Sequence, residues 1–492
     1  MKNNTKNIFA KLSRPVELTS GTPWRVIIRY AIPIVISYFL QQVYVLTDAI
    51  ICGQVLTAEE VAGVNDTSPL TYFFLQFALG CTAGFSVITA KCAGNSDPKG
   101  VRRSFVTQIY LSAVISVVLT AISIPLLPRM LGIINVTPEN AGVYNAAYVY
   151  CFVIFIGIAA QMGYNFICGV LRAYGDSVTP LIFLMISTAL NIGLDVWFLV
   201  SFRMGPAGAA AATVLAQLVS VIFCFIYTLV RYPELRIHKE DLKVGASDIA
   251  AHLKQGIPLG LQFSILAIGI IVMQGAVVKF DLTPEGVMVA GTPAQNGFGA
   301  ASKMTHFLMA LYSGLGSAIL GYNGQNYGKK EYERVRRGTL QTFVIMLFVY
   351  LFCLVAGLSL SIGGAYQYIF MSADKISDAS VRFGNTFVYV DVILYFILGF
   401  LFVARSAVQG ICRPMYVLGA GFAELAARVL ICAYLPAIVN GAPIDSSASA
   451  LAFAAVCLGD PGAWLAACIV LAYPTVRYII RIKYNDPKEI GN

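Results

Sequence analysis

Charge is scarce in this chain. Asp, Glu, Lys and Arg make up 12% of its 492 residues, about half the ~25% usual in a soluble domain. Hydrophobic residues reach 58%, and mean hydropathy is +0.74. An ordinary soluble core could not bury that much apolar surface. C-x-x-C pairs are also missing. The eleven Cys are scattered and read as small packing residues, not as disulfides or a metal site. There is no H-E-x-x-H, no G-x-S-x-G, no Walker G-K-[ST] and no haem ligation. Zinc proteases, serine hydrolases and chains with their own ATP engine are therefore excluded. Gly314-Leu315-Gly316 and Gly205-Pro206-Ala207-Gly208-Ala209 are rich in glycine but lack a strand-loop-helix context. Close helix packing accounts for them better. Residues 1–23 carry Lys2, Lys6, Lys11 and Arg14 without the apolar core and cleavage site of a secretory signal. Short alternating strands are absent too, which argues against a closed barrel.

What is present is a series of long apolar runs. Twelve can span a bilayer as helices, at roughly 24–52, 67–90, 104–127, 143–171, 179–201, 207–231, 257–280, 296–322, 338–361, 383–411, 415–438 and 462–480. The chain also repeats itself. Gly94 to Arg103 reads G-N-S-D-P-K-G-V-R-R, and Gly328 to Arg337 reads G-K-K-E-Y-E-R-V-R-R. Ala31-Ile32-Pro33-Ile34 answers Gly256-Ile257-Pro258-Leu259, and Gly169-Val170-Leu171-Arg172 answers Gly410-Ile411-Cys412-Arg413. Ordered repeats in an apolar chain predict an all-α polytopic membrane protein of two pseudo-symmetric six-helix lobes, as in secondary transporters. The expected organisation is a tail over 1–23, a first lobe over 24–231, a linker over 232–256, a second lobe over 257–480 and a tail over 481–492.

Basic residues set the orientation, because cytoplasmic loops retain Lys and Arg. All but eight of the 34 fall on one side of the predicted spans. Arg129, Arg203, Lys279, Lys375 and Arg382 fall on the other, and Lys303, Arg405 and Arg428 lie within spans. Both termini and the linker are thus expected in the cytoplasm of a cell whose inner membrane holds the chain. The net charge of +9 reads as topology. No aromatic-basic motif points to nucleic acid. Lipids and small molecules are the expected partners, and the chain is read as a monomer.

Ionisable residues inside spans are costly and mark working parts. Asp48 comes late in the first span, and Asp195 comes late in the fifth. Both spans run outward, so the two carboxylates fall in the outer half of the membrane. Asn191 shares a helix face with Asp195. Thr213, early in the sixth span, reaches the same depth. Two carboxylates with amide and hydroxyl oxygens form a hard-oxygen cluster that can hold Na⁺ or share a proton. The alternative is that each Asp is satisfied separately. Pro33, in the span of Asp48, is either a hinge or a static bend. In the second half, Glu424 and Arg428 are spaced for an intrahelical ion pair, Arg405 for snorkelling near a helix end, and Asp391 for the outer start of its span. Lys303 has no partner within one turn, and His306 lies one turn on.

These residues resemble the multidrug and toxic compound extrusion (MATE) family. The resemblance rests on Pro33, on Tyr44 to Gly53, on Leu171 to Asp176 with Pro180, on Asn191 to Asp195, and on Gly205 to Thr213. In the second half it rests on Gly256-Ile257-Pro258 and Gly324-Gln325-Asn326-Tyr327-Gly328. It implies a V-shaped molecule of two lobes that exchanges drug-like, often cationic compounds for H⁺ or Na⁺, with no other cofactor. It also implies a cation site in the first lobe at Asp48, Asn191 and Asp195, joined by Tyr44, Thr213 and Asn165, with Pro33 as the bend. The chain departs from Na⁺-coupled members that carry acidic residues in the seventh and tenth helices, because Leu266 and Phe402 stand there. Coupling is therefore expected in the first lobe.

A lipid-linked saccharide flippase of the same superfamily is the competing transporter reading. It would favour a cationic cavity, to which Lys303 and Arg405 are suited. A membrane-embedded enzyme would need a nucleophile, metal or cofactor constellation, and the sequence contains none. A membrane receptor is a further alternative, though duplication with buried acids in one half fits exchange better.

Overall fold

The computed structural model describes residues 15–134, 136–372 and 376–481. Most of the N-terminal tail, Lys375 and the C-terminal tail from 482 onward lie outside the described residues. Among those described, the chain is helical throughout, with one isolated bridge between Leu282 and Met288. Eleven helices are long and apolar enough to cross a membrane, or twelve when one bent pair counts as a span. All twelve expected spans are present.

Proline starts many of them. Its missing N–H costs nothing in the first turn, where that donor has no helical partner. Thus α1 runs Pro23–Val55, and after α2 (Ala58–Asp66) and α3 (Ser68–Gly94), α4 runs Pro98–Ile133. The Thr57 hydroxyl accepts from the Glu60 N–H while the Thr57 N–H donates to the Glu60 carboxylate, which caps α2. Next come α5 (Ala141–Ile156), α6 (Ile158–Ala173), α7 (Val178–Asp195), a π-helical segment (Val196–Ser201) and α8 (Pro206–Arg231). Gly205, just before α8, has φ +61° and ψ −149°, a backbone region open essentially to glycine alone. The rest are α9 (Ala246–Val278), α10 (Pro293–Gly328), α11 (Tyr332–Ser361), short α12 (Gln367–Phe370), α13 (Asp378–Gly410), α14 (Pro414–Asn440), α15 (Ala450–Cys457) and α16 (Gly459–Thr475).

Two details depart from the sequence reading. The fourth span is not straight: α5 and α6 meet at Gly157 with a 45° bend. A Cβ on Gly157 would collide with the Val214 side chain of α8, so glycine leaves that side chain room at the bend. The polar stretch 232–256 is also more than a link, since α9 begins within it. His252 and Gln255 are buried there because they have partners. His252 Nε2 lies 2.8 Å from Ser104 Oγ, and Gln255 Nε2 donates to the Cys412 carbonyl at 3.1 Å. Sequence polarity alone hides such satisfied positions.

The described chain forms two compact units. The first comprises residues up to Ser264 with Leu320–Val335 and Gln409–Pro414; the second comprises Ile265–Ile319, Arg336–Val408 and Met415 onward. In the first unit, aromatic and aliphatic side chains of α3, α4, α5 and α6 make the core around Phe74, Phe85, Phe155 and Met162. At one end of that unit, Arg334 gathers the segment before α1. Its Nη1 donates to the Gly21 carbonyl at 2.7 Å and its Nη2 to that of Ser20 at 3.1 Å. Its Nε donates to Asn326 Oδ1 at 2.9 Å, while Asn326 Nδ2 donates to the Leu18 carbonyl at 3.0 Å. The Tyr30 hydroxyl donates to the Arg172 carbonyl at 2.6 Å, and Gln325 Nε2 to that of Ala173 at 2.7 Å. Several motifs singled out in the sequence thus interlock here.

Candidate functional site

Three helices of the first unit bring the sequence-predicted cluster together. Asp48 lies two turns before the end of α1, Asp195 is the last residue of α7, and Thr213 lies two turns into α8. Asn191 sits one turn before Asp195 and on its face. Both are essentially inaccessible, at 1% and 0% exposure, whereas Asp48, Tyr44 and Thr213 are half-buried. The cluster is therefore graded, sealed on the α7 side and more open on the α1 side. A π-helical segment begins right after Asp195. Such widened turns are frequent at functional sites.

The polar contacts centre on one hydroxyl. Thr213 Oγ1 lies 3.2 Å from the Tyr44 hydroxyl and accepts from Asn191 Nδ2 at 3.4 Å. Asp48 and Asp195 lie close enough to act on each other electrostatically. Yet Asp48 Oδ1, both Asp195 carboxylate oxygens and Asn191 Oδ1 are buried with no hydrogen-bond partner among the described residues. Carboxylates only accept. Two facing carboxylates without a donor can share a bond only when a proton or another cation lies between them. Chemically, then, the cluster gathers several oxygen acceptors around a single hydroxyl.

Two of the expected residues make no hydrogen bond to the cluster among the described residues. Asn165 on α6 accepts from Gln161 Nε2 at 3.5 Å, and its own Nδ2 has no partner. It makes no hydrogen bond to the cluster. Pro33 lies fifteen residues before Asp48, roughly 22 Å along the helix axis, and α1 continues through it without a break. Ser37 Oγ donates to the Pro33 carbonyl at 2.9 Å. A cleft of about 430 Å³, lined among others by Trp24, Arg29, Pro33 and Ser177, flanks this stretch. Helix α1 is also lightly held. Its apolar window is 11% buried, the smallest share among the eleven uninterrupted spans.

Sequence reasoning missed Cys52 and Tyr150, which lie within electrostatic reach of Asp48. Cys52 packs with Leu199 and Ala209, and this apolar cluster, with Tyr150 against it, adjoins the acids. Tyr150 sits on the bent fourth span, and no charge or spacing in its surroundings marked it. In the second unit the expectations for Arg405 and Arg428 are corrected. Arg405 does not snorkel: it is buried and paired with Glu424 of α14. Arg428 is 3.8 Å from Glu424 but 2.6 Å from Asp460 of α16, so its main ion pair is between helices. Asp391, expected near the outer start of its span, lies within α13 at 2% exposure. Lys303 is exposed and makes no hydrogen bond among the described residues.

Comparison with known proteins agrees with this architecture. The probable multidrug resistance protein YpnP of Bacillus subtilis is 29% identical over 323 residues, which is 65% of this chain and 68% of that protein. A MOP superfamily transporter from Pyrococcus furiosus, reported as having a binding pocket of reverse polarity, superposes with a TM-score of 0.80 at 20% identity, covering 96% of this chain and 99% of the other. A MATE crystal structure in a bent conformation gives 0.77 at 21% identity, covering 94% and 97%. At those identities the two structures speak for the fold alone. The profile of the MatE family matches residues 33–197 and 287–435, more than half of the sequence. The chain belongs to the MatE family of membrane transporters, which are not enzymes.

Proposed function

We propose that this protein is a secondary antiporter that exports drug-like, often cationic organic compounds in exchange for H⁺ or Na⁺. The observation that carries the reading is the Asp48–Asp195 pair, whose buried oxygens find no donor. A bound cation satisfies the pair, and its release restores two like charges in a low-dielectric setting. Asn191, Thr213 and Tyr44 complete the oxygen set, while Asn165 and Pro33 act from a distance, Pro33 as the hinge of α1. Family membership and the name of the Bacillus relative support an organic, drug-like cargo.

In this reading the two halves, 24–231 and 257–480, are the moving lobes. The 232–256 stretch and both termini face the cytoplasm, and a monomer in the inner membrane suffices. Coupling resides in the first lobe, since Leu266 and Phe402 supply no acid to the second at the family's positions. The flippase alternative loses half its motive, because Arg405 is neutralised by Glu424 and only Lys303 remains exposed.

The test is transport into vesicles under separately imposed H⁺ and Na⁺ gradients. Asp48→Asn and Asp195→Asn should each abolish gradient-driven export while leaving the protein folded. Wild-type rates in both variants would overturn the proposed site.

A further inference from the structure

The second unit holds four buried charges, with a fifth, partly buried one, Asp460, beside them. Arg405 and Asp391 are on α13, Glu424 and Arg428 on α14, and Asp460 at the start of α16. Arg405 is hydrogen-bonded to Glu424. Arg428 Nη2 donates to Asp460 Oδ1 at 2.6 Å and lies 3.8 Å from Glu424 Oε1. The Arg428 guanidinium rests against Gly269 of α9, where a Cβ would collide with its Nη1. The cradle is thus shaped to hold this arginine in place.

Charge counting leaves one group over. Two guanidiniums face three carboxylates, and the odd one is Asp391. It is 2% exposed and its Oδ1 has no hydrogen-bond partner. The charges that act on it are Asp460, of the same sign, and Arg428, which Asp460 and Glu424 already share. The other ionisable neighbours are Tyr395 one turn along α13, Cys457 on α15, and His306 on α10 beside Asp460. Beyond Tyr395 lie Tyr312 of α10 and Cys353 of α11. None of these carries a fixed positive charge. A bare carboxylate in such a place is costly, so the network requires one more cation. Sodium would call for several oxygen ligands, and phenol and thiol neighbours supply them poorly. A proton needs one oxygen.

We propose that Asp391 is a second proton-binding carboxyl group, seated in the second unit beside the Arg428–Asp460 pair. It would give the transporter a titrating acid in each half. That use rests on the antiport reading above, whereas the protonation itself does not.

Infrared difference spectroscopy on the full chain in lipid nanodiscs, titrated around neutral pH, tests it through the carbonyl stretch of protonated carboxyl groups. The expected result is a component of that band in the wild type that is absent in Asp391→Asn, displaced in frequency in Asp391→Glu, and retained in Asp48→Asn. Identical bands in wild type and Asp391→Asn would overturn the proposal. Should Asp391→Asn not fold, the Glu variant keeps the carboxyl group, and an undisplaced band there overturns the proposal equally. Failure of the antiport reading would be a separate result: export unaffected by Asp48→Asn, with the Asp391 component behaving as expected.

Discussion

The Thr213 hydroxyl offers a quantitative test of the candidate site. It lies 3.2 Å from the Tyr44 hydroxyl and accepts from Asn191 at 3.4 Å. Interhelical hydrogen bonds within membranes average ~0.6 kcal/mol in double-mutant cycles. Thr213→Val keeps the side-chain shape and removes both bonds, so it should lower unfolding free energy by ~1.2 kcal/mol on that average. Tyr44→Phe removes one and should cost ~0.6 kcal/mol. The double variant should also cost ~1.2 kcal/mol, since loss of Thr213 already includes the Tyr44 bond. The coupling term is then ~0.6 kcal/mol, about a factor of three in the unfolding equilibrium. Reversible unfolding of the full chain in mixed lipid–detergent micelles measures it. Strict additivity, a double-variant loss of ~1.8 kcal/mol, would refute the shared hydroxyl. A single-variant loss above ~3 kcal/mol would show that it does more than bridge Tyr44 and Asn191.

Three further outcomes are expected. A cysteine at Lys243, in a background lacking the native Cys, should be labelled only from the cytoplasmic side; outside-only labelling would reverse the proposed orientation. Pro33→Ala should weaken coupling more than drug binding, and the distance from a label near Val55 to one in the second half should change with pH or Na⁺ in the parent protein; unchanged distances with normal coupling would remove the hinge. The linker should loosen in acid. Burial is the largest influence on Asp241 and works against its charge, but the His238 N–H and Arg102 outweigh it and hold the carboxyl below its ordinary range. A depressed folded-state value stabilises above the unfolded value and is lost as pH falls through the folded one. Protease protection of the linker should therefore fall below the usual carboxylate range, and Asp241→Asn should lose protection at neutral pH without further loss in acid.

The spans were legible because hydrocarbon leaves helices little choice of composition, and twelve apolar runs suffice to find them. The acidic cluster was legible for the same reason: Asp48 and Asp195 stand out where charge is rare, and Asn191 follows from helical spacing. The sequence could not show which partner a buried ion selects. Glu424 and Arg428 have the spacing of a neighbouring pair, yet each finds its stronger bond on another helix. Nor could it show the bend at Gly157, against which the Val214 side chain of a helix some sixty residues away packs. Asn165 illustrates the converse, a residue of the right type in the right span whose side chain turns to its own helix.

The tether made by Asn326 and Arg334 fixes an order of events during synthesis. The Leu18 carbonyl waits for a donor 308 residues further along the chain. At ~5–20 residues per second, that interval is roughly 15–60 s. Until α10 and the start of α11 have left the ribosome, the segment ahead of α1 has none of the bonds that Asn326 and Arg334 later provide. Helix α1 itself is tied earlier, by Tyr30 to Arg172 and Tyr44 to Thr213, so it is the segment ahead of it that waits longest. A truncated chain ending before Asn326 should leave residues 18–22 open to protease, while Val16 stays bonded to Gly175.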